Sequence, residues 1–124
     1  MARILIVDDS PTDQHASRKA LESAGHDVVT ADTAQDGINL AKTHQPDLIL
    51  MDVVFEGMSG FSGTRKLTRD PETKGIPVII CSSKDQESDR VWGLRQGAVE
   101  YLVKPVDPKV LTDAVDSAIK YRPV

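Results

Sequence analysis

The stretch "RILIVDDSPTD", residues 3–13, decides the fold. Residues 4–7 are apolar without interruption and read as a buried strand. Strands that are apolar throughout are expected where both faces of a sheet are covered. Asp8 and Asp9 follow at once, and then Ser10 and Pro11, a helix cap with proline at the first helical position. Two adjacent carboxylates where a hydrophobic strand stops call for an explanation, and the rest of the chain supplies one.

The same strand-then-helix pattern recurs. "ILIVD" at 4–8, "DVVTA" at 27–31, "DLILMD" at 47–52, "PVIICS" at 77–82 and "YLVK" at 101–104 read as five strands. The first helix opens at Ser10-Pro11 and closes at Gly25, with Ala16, Ala20 and Ala24 expected on its inner side. A second runs from Ala34 to Gln45 and stops before Pro46, because the residue preceding a proline resists helical geometry. A third covers Gly60 to Arg69, and a fourth covers Gln86 to Gln96 and ends at Gly97. The fifth opens at Asp107-Pro108, and its Leu111, Ala114, Val115 and Ala118 form an i, i+3, i+4, i+7 stripe. Five strands, each followed by a helix, predict an α/β fold of flavodoxin-like (βα)5 type. Its parallel sheet should have strand order 2-1-3-4-5, with helices on both faces. In such sheets a ligand binds at the carboxyl ends of the strands, where the strand order reverses. That place is between strands 1 and 3.

Bulk composition narrows the function classes. The chain has 124 residues, 40% hydrophobic and 27% charged, as ordinary globular domains are. Net charge is -4 and the 15 basic residues are scattered, so no basic stripe for nucleic acid is visible. Arg65, Lys66 and Arg69 read as one solvated helix face. The single cysteine, Cys81, lies in an apolar run and reads as a small buried hydrophobe. No apolar stretch approaches the length of a membrane span, and the opening "MARILIV" is too short for a signal-peptide core. A cytoplasmic protein is the expectation.

Asp8 and Asp9 end strand 1 and Asp52 ends strand 3, so three carboxylates converge on one crevice. Like charges at close range raise one another's proton affinity, and a bound cation relieves them. All-oxygen ligands in an incomplete cage suit Mg2+. Ser82 and Lys104 end strands 4 and 5 and hang over the same edge. A hydroxyl donor and a fixed cation are what a phosphoryl group on a carboxylate needs. Taken one at a time, each residue has a plainer role open to it. Asp8 and Asp9 could cap the helix, Asp52 and Ser82 could terminate strands, and Lys104 could be a surface lysine before a turn proline.

As a set, "VDDS", "LILMD", "VIICSS" and "YLVKPVD" resemble the receiver domain of two-component response regulators, and most of all the stand-alone, chemotaxis-type receivers. The resemblance spans essentially the whole chain and implies a phosphorylation-switched signalling module rather than a metabolic enzyme. By position, Asp52 is implied as phosphoacceptor from a histidine kinase or phosphotransfer domain. Asp8, Asp9, Asp52 and the backbone carbonyl of Val54 are implied as the Mg2+ site. Lys104 and Ser82 are implied to contact the phosphoryl oxygens, and Lys104-Pro105 to be a cis peptide. Ser82 and Tyr101 occupy the positions of the family's switch. The implied output is a changed surface over helix 4, strand 5 and helix 5, to which Trp92, Arg95 and Tyr101 would contribute. The segment "SSKDQESDRVWGLRQGAVEYLVKPVD", residues 82–107, further resembles receivers of type IV pilus twitching-motility and phototaxis systems. That implies a protein target in pilus-based motility and a monomer or weak phosphorylation-dependent dimer. The chain ends at Val124, soon after strand 5, so one receiver domain over 1–124 with no effector domain is expected.

The chain departs from the family in the loop after Asp52. "DVVFEGMSG" places Phe55 and Glu56 where Met-Pro is usual, freeing the loop and adding a carboxylate near the metal. Ser83 replaces a usual alanine, and Val54 and Lys84 flank the path of attacking water. A dinucleotide-binding enzyme would need G-x-G-x-x-G after a strand, and Gly57, Gly60 and Gly63 do not match it. Two other readings are an aspartyl-nucleophile phosphatase, whose Asp-x-Asp differs from adjacent Asp8-Asp9, and a degenerate receiver that binds partners without phosphorylation.

Overall fold

A computed structural model describes residues 2–120. The outermost ends of the expected 1–124 domain therefore lie outside the described residues. The elements are β1 (Arg3–Val7), α1 (Pro11–Ser23), β2 (Asp27–Ala31), α2 (Ala34–His44), β3 (Leu48–Met51), α3 (Gly60–Arg69), β4 (Val78–Ser82), α4 (Glu87–Arg95), β5 (Glu100–Val103) and α5 (Pro108–Lys120). The five strands form one sheet in the order β2-β1-β3-β4-β5. Every neighbouring pair is parallel, with Val7 opposite Met51 and Ser82 opposite Val103. The expected architecture is observed, and strand ends move by one residue, so that Asp8, Asp52 and Lys104 stand just beyond β1, β3 and β5.

Strand alternation divides the core in two. Leu5, Val7, Ile49, Met51 and Val78 point to the face covered by α2 and α3, where they meet Ile38, Ala41 and Leu67. Ile4, Ile6, Leu48, Leu50 and Ile79 point the other way and pack with Leu21 of α1 and Leu111 and Val115 of α5. A smaller cluster of Val53, Ile80, Ala98 and Tyr101 lies by Phe61 of α3. Side chains start the helices where polar residues precede apolar ones. Ser10 Oγ accepts from Asp13 N–H at 3.3 Å, Thr33 Oγ1 from Asp36 N–H at 3.1 Å, and Ser59 Oγ from Ser62 N–H at 3.2 Å. Asp107 Oδ1 accepts from Lys109 N–H at 2.8 Å at the start of α5.

Two expectations about faces are corrected. Ala16 and Ala24 are exposed and do not belong to the inner side of α1, whereas Ala20 is partly buried and packs with the fully buried Leu21 against the core. Ala16 and Ala20 line a cleft of about 140 Å3 between α1 and the β5–α5 loop. Tyr101 is 3% exposed, so it lies beneath the surface of α4 and β5 rather than on it. The reason is Gly93, which takes the place of a side chain on α4 and lets the phenol ring in. A Cβ there would come within 2.9 Å of Tyr101 Cδ2.

Candidate phosphoryl-transfer site

Backbone bonding carries the sheet one residue past its strands and so positions the acids. Asp8 N–H donates to Ala31 C=O at 3.0 Å, Asp52 N–H to Val7 C=O at 2.9 Å, and Lys104 N–H to Ser82 C=O at 2.9 Å. Parallel strands then deliver their next side chains to one rim. Asp8, Asp9 and Asp52 each offer a carboxylate oxygen, and the three oxygens lie within 4.8 Å of one another. Asp8 and Asp52 are 4% and 9% exposed, whereas Asp9 faces solvent.

Each buried acid is held at both oxygens. Asp8 Oδ1 accepts from Ser10 N–H at 2.9 Å, and its Oδ2 accepts from Lys104 Nζ at 2.8 Å. Asp52 Oδ1 accepts from Val53 N–H at 2.7 Å, and its Oδ2 from Lys104 Nζ at 3.2 Å. Lys104 also donates to Asp13 Oδ2 at 2.9 Å, so one ammonium serves three carboxylates. Burial holds the Asp8 carboxyl above the ordinary carboxylate range; the Lys104 hydrogen bond and charge pull it down and the Asp52 charge pushes it up. Burial works against the Lys104 charge, but the hydrogen bonds it donates to Asp8 and Asp13 and the Asp8 and Asp52 charges outweigh it and raise the amine above its usual range. The cation at this rim is therefore permanent at any physiological pH.

Ser82 is fully buried at the end of β4, and its Oγ accepts from Lys84 N–H at 3.2 Å. Tyr101 OH donates to Lys84 C=O at 2.7 Å, so the ring is turned inward beside the Ser82 strand end. Burial and the Asp89 charge hold this phenol above its ordinary range, and a Ser82 hydrogen bond opposes them. The Lys104-Pro105 peptide is cis. Val54 is exposed, and Phe55 packs against the α2–α3 side of the core. Glu56 is exposed and is not one of the three carboxylates drawn together, so it adds no ligand to that group. Trp92 and Arg95 lie exposed on α4, Trp92 at 47%.

Asp13 is one residue that sequence reading missed. Its one signal was position: the third residue of a Ser10-capped helix turns back toward the strand ends. Gln14 was missed as well. Its Nε2 donates to Asp8 C=O at 2.9 Å and to Asp32 Oδ1 at 3.1 Å, tying the ends of β1 and β2.

The sequence profile of the response regulator receiver domain matches residues 4–116. The chain belongs to the response regulator receiver domains. Protein PilH of Pseudomonas aeruginosa is 52% identical over 119 residues, covering 96% of this chain and 98% of PilH. Response regulator PleD of Caulobacter vibrioides is 37% identical over 121 residues, 98% of this receiver but 27% of PleD. Among solved structures, chemotaxis protein CheY4 of Vibrio cholerae superposes with a TM-score of 0.87 at 27% identity, covering 94% of this receiver and 98% of that chain. The receiver domain of sensor histidine kinase PA1611 of P. aeruginosa, solved with a magnesium ion in its active-site cleft, superposes with a TM-score of 0.89 at 27% identity, covering 96% of this receiver and 98% of that chain.

A receiver is a module of two-component signalling and implies a histidine kinase or phosphotransfer partner. Its acidic pocket is a Mg2+ site, and the donor set here fits that ion. Three carboxylate oxygens within 4.8 Å offer hard ligands on one side only, leaving room for the several waters that Mg2+ keeps. The aspartyl-nucleophile phosphatase is not favoured. Its nucleophile would sit in an Asp-x-Asp pair at the end of β1, whereas Asp8 and Asp9 are adjacent there and the receiver profile covers residues 4–116. Among the described residues, no helix is long and apolar enough to cross a membrane.

Proposed function

We propose that this receiver accepts a phosphoryl group on Asp52 from a phosphohistidine of a histidine kinase or phosphotransfer domain. A carboxylate oxygen of Asp52 attacks phosphorus, the N–P bond breaks, and its electron pair returns to the imidazole nitrogen. The product is an acyl phosphate. Asp8, Asp9, Asp52 and the Val54 carbonyl would hold Mg2+, which supplies positive charge to the transferring oxygens. Lys104 stands ready to pair with a phosphoryl oxygen, and the Ser82 hydroxyl can donate to another. The protein's part is to position the reacting groups and stabilise charge, as phosphoryl transfer requires. The observation that carries this reading is the Lys104 ammonium bonded at once to the buried Asp8 and Asp52.

The acyl phosphate adds about 1.5 to 2 negative charges and strong acceptor oxygens beside Ser82. Ser82 and Tyr101 both bond the Lys84 backbone, which supports a route from the site to α4 and β5. Val91, Trp92, Val103 and Val110 expose apolar surface over α4, β5 and α5, as a protein-binding face does. Trp92 and Arg95 are the anchors of that face, in a monomer or a weak phosphorylation-dependent dimer. The partner belongs to pilus-based motility in the cytoplasm, supported by the resemblance of residues 82–107 to twitching receivers and by the similarity to PilH.

Mass spectrometry after treatment with acetyl phosphate and Mg2+ tests it. A phosphoryl adduct on Asp52, lost in Asp52→Ala, is expected. An unmodified Asp52 beside a labelled control receiver refutes it. A pull-down with and without beryllium fluoride then reports the partner.

A further inference from the structure

We infer that Asp13 is a positioning residue, whose carboxylate holds the Lys104 ammonium and sets the balance between cation and phosphoryl binding at the Asp52 site. The inference rests on the phosphoryl-acceptor reading above. Asp13 is the third residue of α1, where an acidic side chain ordinarily reaches back to the N-cap N–H. Here that N–H is given to Asp8 Oδ1 at 2.9 Å. Released from capping, the Asp13 carboxylate meets Lys104 Nζ at 2.9 Å, close to the Asp8 contact of 2.8 Å and shorter than the Asp52 contact of 3.2 Å.

An ammonium has three N–H donors, and these three carboxylates take all of them. A phosphoryl oxygen can reach Lys104 only by displacing one, and the Asp52 contact is the longest. Asp8 and Asp13 then keep the ammonium from following the phosphoryl group outward. Asp13 also partly neutralises the Lys104 charge. That charge repels a metal ion beside Asp8, Asp9 and Asp52, and attracts a phosphoryl anion. Asp13 therefore favours the cation and disfavours the anion. The Asp13 side chain is 46% exposed, so water screens its effect and each shift is modest.

The test is calorimetric titration of Mg2+, then of beryllium fluoride at saturating Mg2+, into wild type, Asp13→Asn and Asp13→Glu. Asp13→Asn should bind Mg2+ about threefold more weakly and the phosphoryl mimic about threefold more tightly, with Asp13→Glu close to wild type. A merely structural loss at the start of α1 would weaken both ligands together and leave no opposite signs. If wild type binds both ligands and Asp13→Asn shows equal or same-direction changes, the role of Asp13 is wrong and the site stands. If wild type binds neither, the site reading fails and this inference fails with it.

Discussion

Mg2+ should stabilise the fold, and by an amount that can be worked out. Three carboxylates converge within 4.8 Å, and the single Lys104 ammonium is shared among Asp8, Asp13 and Asp52. At that separation a carboxylate pair repels by about 0.9 kcal/mol in water and about 3.5 kcal/mol at an effective dielectric of about 20. The unfolded chain separates these charges, so a cation that bridges them binds the folded state preferentially. At about ten times its dissociation constant the ion contributes about 1.4 kcal/mol, and at about a hundred times about 2.7 kcal/mol. A chain of 124 residues unfolds with an entropy of about 0.26 kcal/mol/K. The melting midpoint should then rise by about 5 °C and about 10 °C at those two concentrations. Differential scanning calorimetry at constant ionic strength measures this, with EDTA reversing it. Asp9→Asn removes the exposed arm of the group and should at least halve the rise. A midpoint unmoved by Mg2+ in the tens of millimolar, or an equal rise in Asp9→Asn, would show that these acids do not form a metal site.

Two further outcomes follow from packing and burial. A Cβ at Gly60 would overlap the Asp52 carbonyl oxygen and lie 2.8 Å from Val53 Cα. Gly60→Ala must push the β3–α3 loop away and should cost about 2–4 kcal/mol in urea unfolding. Acetyl phosphate labelling of Asp52 should slow with it, and a variant of wild-type stability would mean that the loop yields without strain. Cys81 is buried, and burial pushes its thiol up to about 12. Only the thiolate reacts, so at neutral to mildly alkaline pH the native thiol stays protonated and its alkylation by iodoacetamide should follow global unfolding. Rapid labelling of the folded protein at pH 8 would contradict that placement.

What could be read from the sequence was local or topological. Apolar runs such as residues 4–7 and 78–81 have no polar face, so they announced strands covered on both sides. Caps such as Ser10-Pro11 and Asp107-Pro108 marked helix starts, because orphan N–H groups need a side-chain oxygen whatever lies around them. Strand order then brought Asp8, Asp9, Asp52, Ser82 and Lys104 to one rim. Right-handed parallel crossovers leave few other arrangements.

Tertiary structure alone decided the rest. Asp13 and Lys104 are 91 positions apart, and their 2.9 Å contact depends on how α1 is rotated over the sheet and on Asp8 taking the Ser10 N–H. No periodicity encodes that competition. The alanine stripe of α1 looked inward, yet only Ala20 packs against the core, while Ala16 and Ala24 are exposed and Leu21 is the residue fully buried. Tyr101 stands both at the family's inward-turning switch position and on the implied output surface, and it is Gly93 on α4, which opens space, and Lys84 C=O, which receives its hydroxyl, that keep it inside. Secondary structure follows from interactions between near neighbours along the chain, and right-handed crossovers restrict the strand orders it can adopt. Which ion pairs form and which side chains are buried depends on segments far apart in sequence, and only the packed molecule brings those together.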